Sequence, residues 1–261
     1  MPPARIVFWT ATIAGIAFTA RSVLTEPPSL PIAALCVVAY VGLLLCGVFV
    51  LRLRMFADAL VHGPESAIGV ALTFDDGPDP VHTREVLDVL DRHDAKATFF
   101  VIGHKAEKHR DVVEEIIRRG HDVGVHGFAH DRLFSLRGSK RVRADLERAI
   151  RLLENITGKT PSLFRPPIGH TNPTIARIAD QLDLLMIGWS IGARDGIGST
   201  KSEDVVLRID RGLEDGAIVL LHDAAEKGDR KPAGVAALPA ILEKIAAKNL
   251  RVTPLREWVE D

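Results

Sequence analysis

The 261-residue sequence predicts an α/β barrel of seven strand–helix units, preceded by a transmembrane helical hairpin. Three observations predict it. Apolar, strand-like runs alternate with amphipathic helical stretches from Ile68 onward, the pattern of a parallel sheet wrapped by helices. Five segments, each just after such a run, carry polar residues that suit one hydrolytic site, and the C-terminal ends of barrel strands share one rim. Before them, the first 51 residues are mostly apolar.

The anchor comes first. Leu30 to Leu51 is a run of 22 almost wholly apolar positions; as a helix it rises roughly 33 Å, enough for a hydrocarbon core of about 30 Å. The earlier run, Ile6 to Leu24, spans if Arg21 snorkels to the interface. Arg5 and the small Ala17 and Ala20 also suit a signal peptide, but a second apolar stretch follows across Glu26-Pro27-Pro28, which favours a hairpin. Arg5, Arg52 and Arg54 flank its outer ends against Arg21 in the connection. The positive-inside rule then puts the remaining chain on the cytoplasmic face, at the inner membrane of a bacterium. The expected organisation is an anchor over 1–54, with apolar segments 6–24 and 30–51, a linker over 55–67 and a catalytic domain over 68–261.

Within that domain the predicted strands are 68–74, 97–102, 122–125, 162–164, 184–188, 217–221 and 251–253. The predicted helices are 84–93, 106–119, 139–157, 173–181, 203–213 and 235–248. Gly120 and Gly158 stop two of the helices, and Pro173 starts another. Seven strands with one clustered site favour a closed or nearly closed barrel over an open sheet. No Gly-x-Gly-x-x-Gly follows a strand, so no nucleotide cofactor is expected. A net charge of −1 gives no basic field for nucleic acid. Both cysteines, Cys36 and Cys46, lie in the apolar zone, which argues against a disulfide framework or a thiolate metal site.

The polar tips carry the chemistry. Asp75 and Asp76 are adjacent at a strand end, where neighbours point to opposite faces, so one can hold a cation while the other takes a proton. Asp-Gly-Pro also suits a tight turn. His126 and His130, four apart, can present both imidazoles together, and with Asp76 they supply three ligands and leave positions open, as catalytic zinc sites require. Gly127 rules out the zinc-peptidase His-Glu-x-x-His pattern. Arg165, before Pro166-Pro167, can pair with Asp75, and Gly169 permits a turn that aims a backbone N–H at the site. His222 is a candidate general acid, Asp195 can raise its pKa, and Trp189 suits a pocket wall.

Thr73-Phe-Asp-Asp-Gly-Pro78, His126-x₃-His130, Arg165-Pro-Pro-x-Gly169, Trp189 with Asp195, and Leu220-Leu-His-Asp223, in this order, resemble the five motifs of the NodB-homology polysaccharide deacetylases, carbohydrate esterase family 4. The resemblance covers roughly residues 66–258 and implies a distorted (β/α)7 barrel. It implies that Asp75 is the catalytic base, that Asp76, His126 and His130 bind one divalent metal (Zn2+, or Co2+, Mn2+ or Ni2+), and that Arg165 orients Asp75. His222 would be the acid, tuned by Asp195; the Ile168 N–H would serve the oxyanion, and Trp189 and Leu220 would line the acyl pocket. Gly127 stands where many members have Ser or Thr, Ile168 where Tyr is common, and Gly196 where Trp is frequent. The last two remove aromatic surface for an extended glycan.

The expected function is therefore metal-dependent removal of an N-acyl group, acetyl or formyl, from a sugar of a glycan or a lipid-linked saccharide, a hydrolysis of carbon–nitrogen bonds other than peptide bonds. A domain facing the cytoplasm would meet a lipid-linked amino sugar at the inner leaflet; one on the outer face would meet peptidoglycan or another surface glycan. An O-acetyl esterase of the same fold, or a catalytically silent glycan- or lipid-binding protein, are the alternatives.

Overall fold

The computed structural model describes residues 1–259, so the last two positions of the 68–261 unit lie outside the described residues. Two long helices open the chain, α1 (Pro3–Leu24) and α2 (Leu30–Phe49). Both are long and apolar enough to cross a membrane. No residue of α1 is buried and only Gly47 of α2 is, which argues against core helices of a soluble domain. A hydrogen bond of 2.9 Å between the Thr12 and Tyr40 hydroxyls joins the pair.

The catalytic region is one seven-stranded parallel sheet. Its strands are β1 (Ala71–Asp75), β2 (Thr98–Val101), β3 (Asp122–Val125), β4 (Leu163–Phe164), β5 (Leu185–Met186), β6 (Ile191–Gly192) and β7 (Ile218–His222). Their order is β5-β4-β3-β2-β1-β7-β6, a curled half-barrel. The expected α/β barrel is thus present, with two edges in place of closure. Helices α3 (His82–Arg92), α4 (Gly103–Lys108), α5 (Arg110–Arg118), α6 (Ser139–Thr157), α7 (Pro173–Gln181), α8 (Ser202–Asp210) and α9 (Ala233–Ala247) cover it.

Strand alternation sorts the side chains. Leu72, Phe74, Phe99, Val101, Val219 and Leu221 join the large core beneath the helices. Ala71, Phe100 and Ile218, on the other face, belong to a small core inside the curl, with Leu163, Ile187 and Leu255. Thr73, Asp75 and His222 continue that inner face toward the rim. The register pairs Thr73 with Leu220 and Asp75 with His222 across neighbouring strands, so two reactive groups are fixed side by side by the ladder.

Three expectations are corrected. The sheet holds Ile191–Gly192 (β6) in place of the strand expected over 251–253, where Val252 makes only an isolated bridge to Val70. A two-residue strand is too short to show alternation in sequence. The helix expected over 106–119 breaks at His109, whose φ of −126° and ψ of 53° are non-helical; the apolar spacing runs on across the break and gives no sign of it. Residues 55–67 also hold structure beyond that of a connection. Met55, Ala57 and Ala59 are buried, and Leu60 pairs in parallel with Ile187 at the sheet edge.

His121, at the start of β3, is a buried imidazole whose Nδ1 accepts the Ala97 N–H at 3.2 Å. Burial, with a smaller push from Lys96, lowers its pKa to about 4. The native state therefore holds it neutral, while the unfolded chain takes up a proton below about pH 6.5. Stability contributed by this group is complete above that pH and is lost as pH falls toward 4. Thermal unfolding should show His121→Gln losing roughly 2 kcal/mol less than wild type between pH 7 and pH 5.

Candidate active site

The centre of the site is a side chain without access to water. Arg165, just beyond β4, is fully buried. Its Nη1 donates to Asp75 Oδ1 at 2.7 Å and to Thr73 Oγ1 at 2.9 Å, its Nε to the Ile187 carbonyl and its Nη2 to that of Gly188. The guanidinium lies 4.2 Å from the Phe100 ring centroid. The pairing with Asp75 expected from sequence is present, and it leaves Asp75 Oδ2 turned to the site, 3.8 Å from His126 Nε2.

Asp76 turns the other way, at a φ of 72°. Its Oδ1 lies 3.6 Å from His126 Nε2 and 3.2 Å from His130 Nε2. The His126 Nδ1–H donates to the Arg165 carbonyl at 2.8 Å, which leaves the Nε2 lone pair pointing inward. Burial, then the neighbouring His126, hold the His130 pKa below the ordinary imidazole range, so its lone pair is also free. One donor atom from each residue falls within 4.8 Å of the others. Asp76 Oδ1 is buried with no hydrogen-bond partner. A buried carboxylate oxygen left unpaired is costly, and two imidazole nitrogens aimed at it form a set that fits a divalent cation.

On the opposite side stands His222, the last residue of β7. Buried Asp195 accepts its backbone N–H at 2.8 Å and its Nδ1–H at 2.9 Å. Burial pulls the imidazole pKa down, but the hydrogen bond and charge of Asp195, with Asp76 and Asp75 behind it, outweigh this and raise it to about 9. At neutral pH the ring thus holds a proton on Nε2, 4.0 Å from Asp76 Oδ2. Gly196 passes close over it, since a Cβ there would sit 3.2 Å from His222 Cε1. Trp189, beyond β5, fills the notch left by Gly169, where a Cβ would meet its ring at 2.4 Å. Ile168 beside it is 40% exposed and takes a φ of 52°. Leu220 is half-buried on β7 beside this wall. Every residue expected at the site is brought to one rim.

Sequence reading missed three supports. Asp145, on α6, accepts the Phe128 and Ala129 N–H groups at 2.7 and 3.1 Å and fixes the loop between the histidines. It lies 3.1 Å from where a Gly127 Cβ would be. Lys105, on α4 just beyond β2, donates to the Asp76 and Ala225 carbonyls at 2.7 and 2.6 Å, tying the β1 and β7 loops together. Glu226 approaches His130 Nδ1 at 3.7 Å. Lys105 was findable, because it follows a strand whose end shares the rim; Asp145 sits mid-helix and gives no such signal.

A parallel half-barrel that brings Asp75, His222 and a cation-ready triad to one rim has the groups a hydrolase needs. The family model for polysaccharide deacetylases matches residues 62–187. A peptidoglycan-N-acetylglucosamine deacetylase of Bacillus cereus is 33% identical over 191 residues, covering 72% of this chain and 86% of that protein. A crystal structure of a peptidoglycan N-acetylglucosamine deacetylase superposes with a TM-score of 0.71 at 28% identity, over 76% of this chain and 91% of its own. A family 4 acetyl xylan esterase from Clostridium thermocellum, solved with a cobalt ion, gives a TM-score of 0.66 at 31% identity over 73% and 90%. The chain belongs to the polysaccharide deacetylase family of hydrolases.

Replacing Arg165 by Met should lower the unfolding free energy by roughly 3–5 kcal/mol, because it strands the Asp75 carboxylate in a buried site. Thermal or urea unfolding in detergent reads the loss.

Proposed function

We propose that this chain is a metal-dependent hydrolase that removes an N-acyl group, acetyl or formyl, from a sugar. The observation that carries it is the unpaired Asp76 Oδ1 facing the His126 and His130 nitrogens, with Asp75 on one side and His222 on the other. Asp76, His126 and His130 would hold the ion. Three nitrogen and oxygen ligands with open positions suit Zn2+, and Co2+, Mn2+ and Ni2+ accept the same donors. When bound, such an ion would supply Lewis-acid polarisation of the acyl carbonyl and a lowered pKa for water.

The remaining work falls to the chain's own groups. Arg165 fixes Asp75 Oδ1, leaving Oδ2 to accept a proton from the attacking water. The Ile168 N–H, on its left-handed turn, faces the developing oxyanion, and Trp189 and Leu220 enclose the acyl group. As the carbon–nitrogen bond breaks, His222 Nε2 gives its proton to the departing amine, and the acyl carbon leaves as a carboxylate. Asp195 holds the ring in the tautomer this step needs. The same groups would cleave an O-acetyl ester, and the Clostridium thermocellum neighbour in fold carries that activity in its name.

The apolar helices complete the reading: α1 and α2 cross a bacterial inner membrane as a hairpin, with Arg5, Arg52 and Arg54 on the cytoplasmic side together with the half-barrel.

Full-length protein loaded with zinc or cobalt should release acetate or formate from N-acylated amino sugars, with O-acetylated sugars as the comparison. Asp75→Asn and His222→Ala should each lower kcat by about 10²–10⁴-fold, and His126→Ala should abolish stoichiometric zinc uptake in equilibrium dialysis. A metal-loaded wild type that is inert on every N-acyl sugar sinks the reading.

A further inference from the structure

The far end of α2 packs against the loop that follows Ile168. Thr171 N donates to the Val48 carbonyl at 3.0 Å, and the Phe49 ring meets His170 at 4.6 Å between centroids. Leu51, two residues later, is buried in the large core. This exit forms one wall of a cavity of about 450 Å³, whose other wall includes Ile168, Trp189 and Leu220. That volume lies in the range of pockets for small ligands, about 300–1,000 Å³. The proposed acyl-pocket residues therefore share a cavity with the end of an apolar helix.

Two guanidinium groups line the same cavity, Arg52 and Arg194. Both are exposed, and neither meets a carboxylate among the described residues; Arg52 reaches only the Ser190 carbonyl, at 3.5 Å. Most other arginines near the site are matched, as Arg132 is by Glu226 and Arg137 by Asp131. Arg194 also holds a left-handed backbone, φ 58°, directly before Asp195. Unmatched arginines at a cavity wall favour a phosphate, which accepts their forked donors.

The level of this cavity follows from the helices. Arg52 and Arg54 come within five residues of the end of α2, and Arg5 near the start of α1 pairs with Asp58 at 2.9 Å. Phe8 packs on Phe56, and Trp9 is exposed beside it. Arginines and aromatic rings at helix ends mark the headgroup layer. On one side the cavity ends at α2, so the middle of a long glycan strand meets an obstruction where a lipid-borne sugar finds an entrance.

Resting on the deacylase reading above, the geometry points to a substrate class: an N-acyl amino sugar carried on a lipid phosphate. Its phosphate lies between Arg52 and Arg194 at the headgroup level, its lipid runs beside α2, and its sugar reaches the rim. The reaction that supplies it must transfer an N-acylated sugar phosphate or sugar to a membrane lipid, and the product is a lipid-borne free amine.

The test uses full-length, zinc-loaded protein in nanodiscs with three probes: synthetic prenyl-phosphate-linked N-acetylglucosamine, N-acetylglucosamine-1-phosphate and N-acetylchitopentaose. The lipid-borne probe should exceed both others in kcat/KM by at least about tenfold. Arg52→Gln combined with Arg194→Gln should raise KM for that probe by about tenfold or more with kcat little changed, in protein whose thermal unfolding matches wild type. Equal turnover of chitopentaose, equal turnover of the soluble sugar phosphate, or an unmoved KM in the double variant would overturn the lipid-phosphate substrate and leave the deacylase standing. Inertness toward all three probes and toward their N-formyl counterparts would remove the deacylase reading itself.

Discussion

The buried guanidinium of Arg165 is the contact on which the site depends. Taking such a charge out of water costs several kcal/mol unless its donors are met. Here they are met by a carboxylate, a hydroxyl and two carbonyls, from β1 and from the chain beyond β5. The same residue's carbonyl accepts the Nδ1–H of His126. One residue therefore sets both the direction of Asp75 and the tautomer of a candidate ligand. If the guanidinium shifted, the orientation of both would be lost together, so the polar interior of the half-barrel serves to align the site.

Around that contact the backbone is held in costly places. Asp76, His130, Ile168 and Arg194 all have positive φ without being glycine, each at a cost of about 1–3 kcal/mol. Neighbouring contacts hold this local strain. Lys105 grips the Asp76 carbonyl, Asp145 grips the loop before His130, and Trp189 packs into the Gly169 notch beside Ile168. Adjacent Asp75 and Asp76 can then face different tasks although they are joined by one peptide bond.

Much of this was legible in the sequence, for a physical reason. Parallel strands project alternate residues to one face and end at one rim, so polar residues after apolar runs identify the site without any knowledge of loop shape. Asp75, Asp76, His126, Arg165 and His222 follow that rule directly, while His130 lies four residues beyond His126 and Asp195 lies beyond the short β6. The alternation in β1, with Leu72 and Phe74 on one face and Thr73 and Asp75 on the other, also shows which carboxylate looks into the curl. What stayed hidden depends on distant packing. Asp145 acts from the middle of α6, β6 has two residues, and the break at His109 leaves the apolar spacing of α4 and α5 intact. The burial of Leu51 was equally hidden, because an apolar residue at a helix end reads the same whether it meets lipid or core.

That last residue explains how a seven-stranded sheet manages its opening. A curl that does not close leaves two edges whose backbone groups need partners. The edge at β5 is met by the chain that leaves α2: Leu60 N donates to the Met186 carbonyl, and Gly188 N donates to the Leu60 carbonyl. Toward β7, Ser190 N donates to the Ile218 carbonyl, so the turn carrying Trp189 bridges the gap. The segment that finishes the sheet is thus the segment that emerges from the apolar helices. An anchor attached through a loose tether would leave the half-barrel free to face any direction. Attached through the sheet edge and through Leu51, the rim is held at a fixed angle to α2, and its cavity opens where that helix ends.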